Sequence, residues 1–121
     1  MSKTRPVDAA QVVAMSSELP DVELKEHSRW TSITYRGKGF AWVDHGENTA
    51  MIKGTHEERA ACVATDPETF SEGWASATTA WISVRLERAD PEEVFELLAE
   101  GWRMNAPKRV VAAYDEARGL V

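Results

Sequence analysis

The chain offers few side chains of the kind that carry out chemistry, and their spacing argues against catalysis. His27, His45 and His56 lie far apart along the sequence, so no pair has the close spacing that metal ligands usually show. The segment that begins at His56 lacks a second histidine four residues later, which the zinc-binding HExxH helix requires. The sequence also lacks the GxSxG, GxGxxG and Walker-type loops. We therefore predict no metal, no cofactor and no enzymatic activity.

Cys62 is the only cysteine of the chain and lies among alanines on a predicted helix. We interpret it as an inert, partly buried thiol, because a nucleophilic cysteine needs an electropositive setting. A lone cysteine has no intramolecular disulfide partner, which fits a reducing compartment. Residues 1–10 lack the apolar core of a secretory signal, and no apolar run is long enough to span a bilayer. The sequence thus predicts a cytoplasmic protein without a membrane span.

Cations beside tryptophans are the more promising group. Residues 28–53 form a Trp-rich stretch with more basic than acidic residues, although the whole chain carries a net charge of −6. Lys108 and Arg109 lie in the first turn of a predicted helix, where cations oppose the helix dipole at a cost of about 0.3–1 kcal/mol. They could form an anion site with the free backbone N–H groups of that turn. The simpler explanation, which we favour, is a surface pair compensated by Asp115 or Glu116.

The elements that must position these residues follow clear patterns. Helices are predicted over residues 6–19, from the Thr55 and Glu58 capping box to just before Pro67, from Pro91 to about residue 102, and over residues 107–119. Strands are predicted over residues 22–26, 30–36, 40–44, 49–53, 70–75 and 80–86, with hairpin turns at residues 37–39 and 45–48. This order predicts an α+β fold in a single domain over residues 1–121. It would be a two-layer sandwich, with a largely antiparallel sheet of four to six strands and helices on one face.

Side chains alternate between the two faces of a strand, and this divides the residues of the central meander into two sets. The first set is almost wholly apolar: Ile33, Tyr35, Ala41, Val43, Ala50 and Ile52. The second set mixes aromatic, hydroxyl and basic side chains: Trp30, Ser32, Thr34, Arg36, Phe40, Trp42, Met51 and Lys53. Residues 80–86 repeat the division, with Ile82, Val84 and Leu86 against Trp81, Ser83 and Arg85. We predict that the mixed set faces away from the helices.

Several short motifs, taken together and in order, resemble the MmcQ/YjbR family. They are Leu19-Pro20-Asp21-Val22-Glu23, His27, the turn from Arg36 to Trp42, Lys53, Glu57-Glu58-Arg59, Gly73-Trp74, the strand from Trp81 to Leu86, and Ala106-Pro107-Lys108-Arg109. The resemblance covers about residues 12–117. It implies a two-layer domain similar to secretion chaperones, described as a DNA-binding "double wing" fold, without an established active site. The cations of the family pattern fall at Lys38, Lys53, Lys108 and Arg85.

Two functions remain open at this point. The first is weak, salt-dependent DNA binding, in which cations contact phosphates and Trp42 or Trp81 stacks on bases. The cations of this hypothesis are Arg36, Lys38, Lys53, Arg85, Lys108 and Arg109. The second is a module that binds a protein or a small anionic ligand, or a second copy of itself, through an aromatic patch. That patch would comprise Trp30, Phe40, Trp42, Met51 and Trp81. The residues alone favour the second function, and the resemblance places DNA binding first.

Overall fold

The computed structural model describes residues 7–119, and its elements follow the predicted order. The helices are α1 (Ala9–Ser16), α2 (His56–Thr65), α3 (Pro91–Asn105) and α4 (Lys108–Ala117). The strands are β1 (Val22–Glu26), β2 (Trp30–Tyr35), β3 (Lys38–Asp44), β4 (Thr49–Gly54), β5 (Phe70–Ala75) and β6 (Ala80–Arg85). The predicted start of the first helix at Pro6 lies outside the described residues.

The strands form one six-stranded sheet in the order β1-β2-β3-β4-β6-β5, and every neighbouring pair is antiparallel. Helix α3 packs across β3 and β4, α1 packs over β2 and β3, and α2 packs over β5 and β6. The apolar sides of these helices and of the sheet form one continuous core. The predicted two-layer α+β fold is therefore confirmed, with the helices on one face. Within residues 7–119, no helix has both the length and the apolar character needed to cross a membrane.

Two of the helices begin at reciprocal capping boxes. At α2, the Glu58 N–H donates to Thr55 Oγ1 at 3.0 Å and the Thr55 N–H donates to Glu58 Oε1 at 2.9 Å, as predicted. At α1, Asp8 and Gln11 exchange the same pair of bonds. Asp8 thus fixes the start of α1 at Ala9, and this helix is shorter than the sequence pattern predicted.

The first hairpin turns one residue earlier than predicted. Arg36 and Gly37 occupy the turn with φ angles of 49° and 85°, and two consecutive positive φ values are typical of a two-residue type I′ turn. Lys38 and Gly39 belong instead to β3. Arg36 consequently lies at the tip of the hairpin, not on the sheet face where the alternation placed it.

Phe40 lies on the helical face of the sheet, and its predicted place on the open face is wrong. Thr34 pairs with Gly39 and Ile33 pairs with Ala41, so Phe40 is an extra residue in a β-bulge. The bulge turns Phe40 towards the helices, where its side chain is 0% exposed. Alternation along β3 fails at this one position, and Phe40 cannot belong to an exposed aromatic patch.

Helix α3 lies close to the sheet because it carries Gly101 at the point of contact. A Cβ atom at Gly101 would lie 2.9 Å from the backbone oxygen of Lys53, a distance at which the backbone would have to move. The next residue, Trp102, is fully buried, and its indole N–H donates to the Pro20 backbone oxygen at 2.9 Å. Together these contacts fix the C-terminal end of α3 above β3 and β4.

Candidate nucleic-acid interface

Four rings form a continuous row on the sheet face that the helices leave open. His27 stacks on Trp30 with ring centroids 3.9 Å apart, Trp30 contacts Trp42 at 6.3 Å, and Trp42 contacts Trp81 at 5.1 Å. We call these four residues the aromatic row. The Trp42 side chain is 39% exposed, and Trp81 is half-buried. The row therefore offers ring surface to solvent, on the side opposite the helices.

Strand register explains how the sequence builds this row. Trp42 pairs with Ser32 on one side and with Met51 on the other, and Trp81 lies on β6 beside Lys53. Trp42 on β3 and Trp81 on β6 are separated by β4, and neighbouring strands are about 4.8 Å apart, so the two backbones are roughly 10 Å apart. The centroids of the two rings are only 5.1 Å apart, which means that the rings lean towards each other across β4. The half-buried Met51 lies on β4, the strand that the two rings bridge, and pairs with Trp42 of β3.

A basic residue lies near each end of the open face. Arg85 pairs with Thr49 at one end of β4, and Lys53 pairs with Trp81 at the other. The acidic Asp44 also lies on this face, but its carboxylate forms an ion pair with Arg29 at 3.4 Å. Backbone N–H groups of the turn after β3, together with Arg29, lower the pKa of Asp44. Its charge is thus partly neutralised within the molecule.

Lys38 and Lys53 form a small basic cluster around Asn105, at the C-terminal end of α3. The Lys53 ammonium donates to Asn105 Oδ1 at 2.6 Å. The Asn105 amide in turn donates to the backbone oxygens of Lys38 at 3.0 Å and of Gly39 at 3.2 Å. No carboxylate in residues 7–119 forms an ion pair with either lysine. Two cations without an acidic partner are well suited to receive a phosphate or another anion.

The pKa of Lys53 is lowered within this basic cluster. Burial, and then the charge of Lys38, lower the pKa of Lys53 below its usual value. Substituting Lys38→Gln should raise the pKa of Lys53 part of the way back, because burial remains while the repulsion is removed. The folded state binds this proton less tightly than the unfolded state does. The contribution of Lys53 to the free energy of unfolding should therefore rise as the pH increases from the lowered pKa to the usual pKa of a lysine.

NMR titration of the lysine side-chain signals in the wild type and in Lys38→Gln would measure this shift. The exposed Lys25 lies on β1, away from the cluster, so Lys25→Gln serves as the matched control and should leave the pKa of Lys53 unchanged. An identical pKa for Lys53 in the wild type and in Lys38→Gln would show that the two ammonium groups do not interact.

The other predicted cations lie apart from the aromatic row. Arg36 forms an ion pair with Asp21 at 3.7 Å on the hairpin tip. Lys108 and Arg109 are exposed at the start of α4, where Pro107 provides no side-chain cap. The expected compensation by Asp115 is wrong, because the Asp115 carboxylate binds Arg103 of α3 instead. Lys108 follows Asn105 by three residues along the chain.

The helical side of the molecule has the opposite character. A groove of about 920 Å³ runs between α1, α2, α3 and α4. Its lining includes two arginines, Arg103 and Arg118, and six glutamates: Glu18, Glu58, Glu92, Glu93, Glu96 and Glu100. Cys62 lines this groove, and burial together with the charges of Glu93 and Glu58 raises the pKa of its thiol. Among residues 7–119, no group of three or more His, Cys, Asp or Glu side chains is arranged to hold a metal ion.

The sequence patterns did not indicate two residues of the candidate site. His27 stacks on Trp30, and its Nε2 lies 3.3 Å from Ser32 Oγ. Its position three residues before Trp30, across a tight turn, is the signal that could have indicated the stack. Asn105 gave no signal, because its role depends on how far α3 extends over β3 and β4.

Comparison with known proteins agrees with this architecture. The model of the YjbR family matches residues 17–104. The crystal structure of the Deinococcus radiodurans protein DR2400, described as a DUF419 domain, is similar with a TM-score of 0.71 and 18% sequence identity. The similarity covers 99% of this chain and 94% of that one. No curated protein sequence matches the chain.

Proposed function

Because the chain belongs to the YjbR family, we propose that it binds DNA without catalysis, in the way that the family resemblance implies. In this proposal a single strand lies across the open face of the sheet, and its bases stack on the aromatic row. The observation that carries the proposal is the row itself, with half-exposed rings in contact from β2 to β6. Basic residues without a carboxylate partner lie beside one end of it.

Stacking supplies the sequence-tolerant part of the proposed binding. Each base that stacks on an aromatic side chain contributes about 1–3 kcal/mol, whatever the base. Trp30, Trp42 and Trp81 offer successive rings, and the half-buried hydroxyls of Ser32 and Ser83 lie between them on the same face. A strand that crosses the sheet could therefore meet a ring and a hydrogen-bonding group at each step.

Phosphate contacts supply the electrostatic part. Lys38 and Lys53 lie together around Asn105 at one end of β3 and β4, and Arg85 lies four residues away along β6 from Trp81. Few phosphates can be neutralised by so small a set of cations, and the net charge of −6 repels the rest of a long polyanion. We therefore expect weak binding that is lost at high salt.

A single strand suits this surface better than a duplex. The rings can stack only on bases that are already exposed, and the bases of a duplex are stacked on one another. Duplex binding would have to rest on phosphate contacts alone, which an acidic protein with few clustered cations supports poorly. A clear preference for single strands is thus a direct consequence of the proposed geometry.

The exposure of Trp42 also favours a second candidate function. Large exposed aromatic side chains in contact with one another are typical of protein-binding hot spots, so the aromatic row could bind a partner protein. Phe40 cannot contribute to such a patch because it is buried. The two functions differ in whether they require the cations. Binding of a protein partner would tolerate charge reversal at Lys38 and Lys53, and binding of a DNA strand would not.

The decisive experiment is a tryptophan-fluorescence titration with a short single-stranded oligonucleotide, the matching duplex and an abasic strand of the same length. We expect quenching by the single strand, weaker binding of the duplex, and the weakest binding of the abasic strand. Between about 50 and 200 mM salt, log K should fall with log salt at a slope of about −2 to −3 if three to four phosphates are contacted.

The controls separate the two candidate functions. The double variant Lys38→Glu/Lys53→Glu should lose DNA binding. Arg88 forms an ion pair with Glu68, and Arg118 lies over the ring of Tyr114, so the double reversal Arg88→Glu/Arg118→Glu should keep most of the binding. No quenching by any strand at low salt would reject the DNA proposal. Equal affinity for the abasic and normal strands would reject the role of the aromatic row.

A further inference from the structure

Strand β1 is an uncovered edge of the sheet. It pairs with β2 on one side only, and all of its residues except Val22 are exposed. Leu24 pairs with the buried Ile33, which places its side chain on the helical side of the sheet, yet Leu24 is 40% exposed. No described helix covers this edge, and a large apolar side chain is therefore left in contact with solvent.

The hydrogen bonds of the turn before β2 show which backbone groups of β1 point outwards. The His27 N–H donates to the Trp30 oxygen at 2.8 Å, and this pair continues the β1–β2 register. In an antiparallel pair, hydrogen-bonded positions alternate with non-hydrogen-bonded ones. Lys25 and Glu23 therefore direct their N–H and C=O groups to β2, whereas Val22, Leu24 and Glu26 direct theirs away from the sheet.

We propose that β1 pairs antiparallel with β1 of a second copy of the chain, about a two-fold axis at Leu24. In this register Leu24 faces the partner's Leu24, and Val22 faces the partner's Glu26. These are the residues whose backbone groups point outwards, so the pairing forms about six backbone hydrogen bonds. Every residue of β1 then lies opposite a residue of the partner's β1. The two sheets become one continuous sheet of twelve strands.

Charge complementarity selects this register and this partner. With the axis at Leu24, Glu23 lies directly opposite the partner's Lys25, and Lys25 lies opposite the partner's Glu23. Their side chains lie on the open face, because they share it with Thr34 and Ser32. These two pairs fall at non-hydrogen-bonded positions, where side chains of neighbouring strands are closest. An axis at Glu26, the next position with outward groups, would instead oppose Glu26 to its own copy.

Charged edge strands often serve to prevent pairing. The sign pattern of the charges on β1 distinguishes an edge that prevents pairing from an edge that pairs with its own copy. An edge strand that carries like charges on its exposed positions repels a second copy of itself, and this prevents pairing. Here the alternation of Glu23 and Lys25 makes the edge complementary to itself. The pairing also covers both copies of Leu24 against each other, which removes the exposed apolar surface of this edge.

Analytical ultracentrifugation of the full chain over a wide concentration range tests the proposal. We expect a reversible dimer. Glu23→Lys and Lys25→Glu should each weaken dimerisation about tenfold or more, because each places like charges opposite each other twice. The double variant Glu23→Lys/Lys25→Glu should restore dimerisation, since it exchanges the two charges and keeps them complementary.

A second variant tests the backbone hydrogen bonds. The Leu24 N–H points away from β2, so Leu24→Pro removes an outward donor without breaking the sheet of one protomer. It should abolish the dimer while the circular dichroism spectrum stays that of the folded chain. A wild type that remains monomeric at every concentration would overturn the proposal. So would a double charge exchange that dimerises no better than the single reversals, or a dimer that Trp42→Ala disrupts and Leu24→Pro does not.

Discussion

Replacing Trp42 with alanine is expected to weaken the binding of single-stranded DNA roughly 5- to 150-fold, the equivalent of about 1–3 kcal/mol per stacked base. Trp42 lies in the middle of the aromatic row and contacts both Trp30 and Trp81. Its removal therefore deletes one stacking surface and separates the other two. The loss should be nearly independent of salt, because no charge is removed. Titration of the variant with the same oligonucleotide at two salt concentrations measures both effects.

Trp74 provides the matched control for this substitution. It is the most exposed tryptophan, with 66% of its side chain accessible, and it lies on the edge strand β5 outside the row. Trp74→Ala removes the same side chain and should leave the affinity within about twofold of the wild type. Equal losses from Trp42→Ala and Trp74→Ala would contradict a binding surface centred on the row.

Replacing Trp102 with alanine should cost about 3–5 kcal/mol of folding free energy, the largest effect of any single substitution that we expect. The side chain is fully buried between Tyr35 and Tyr114, with ring centroids at 6.3 and 5.0 Å. Its truncation would leave a large cavity and an unpaired Pro20 oxygen. Small domains have only about 5–15 kcal/mol of stability, so a substantial part would be lost. Urea denaturation followed by circular dichroism measures the difference.

Trp102→Phe separates packing from hydrogen bonding at this position. Phenylalanine keeps much of the apolar contact and loses the donor to Pro20. We therefore expect a smaller destabilisation, of about 1–3 kcal/mol. If Trp102→Ala were no more destabilising than the exposed Trp74→Ala, the packing of α3 described above would be incorrect.

Local sequence patterns predicted most of the fold because they depend on near neighbours. The bounds of β1 and β5 were predicted to the residue, since turn residues flank both strands. The start of α2 followed from the Thr55 and Glu58 capping box, which needs only residues three apart. The placement of Trp42 and Trp81 on the face opposite the helices followed from strand alternation, and it is the basis of the candidate site.

The features that could not be predicted all depend on contacts between distant parts of the chain. The bulge at Phe40 is a mismatch between β2 and β3, and either strand alone gives no indication of it. Asn105 reaches Lys53 because Gly101 allows α3 to approach the sheet, a contact between residues 52 positions apart. Asp115 binds Arg103 of another helix instead of the cations in its own. Sequence patterns can indicate which residues are charged, but not which charges meet.

The separation of charge between the two layers has a consequence for how the molecule would approach a polyanion. Glutamates line the groove on the helical side, whereas Arg85 lies on the open face and Lys53 at its end, so we expect an electric dipole across the thickness of the molecule. In the field of a nucleic acid, this dipole would orient the diffusing protein with the open face foremost before any contact is made. The association rate would benefit even though the net charge is unfavourable, and added salt would remove the benefit within the Debye length.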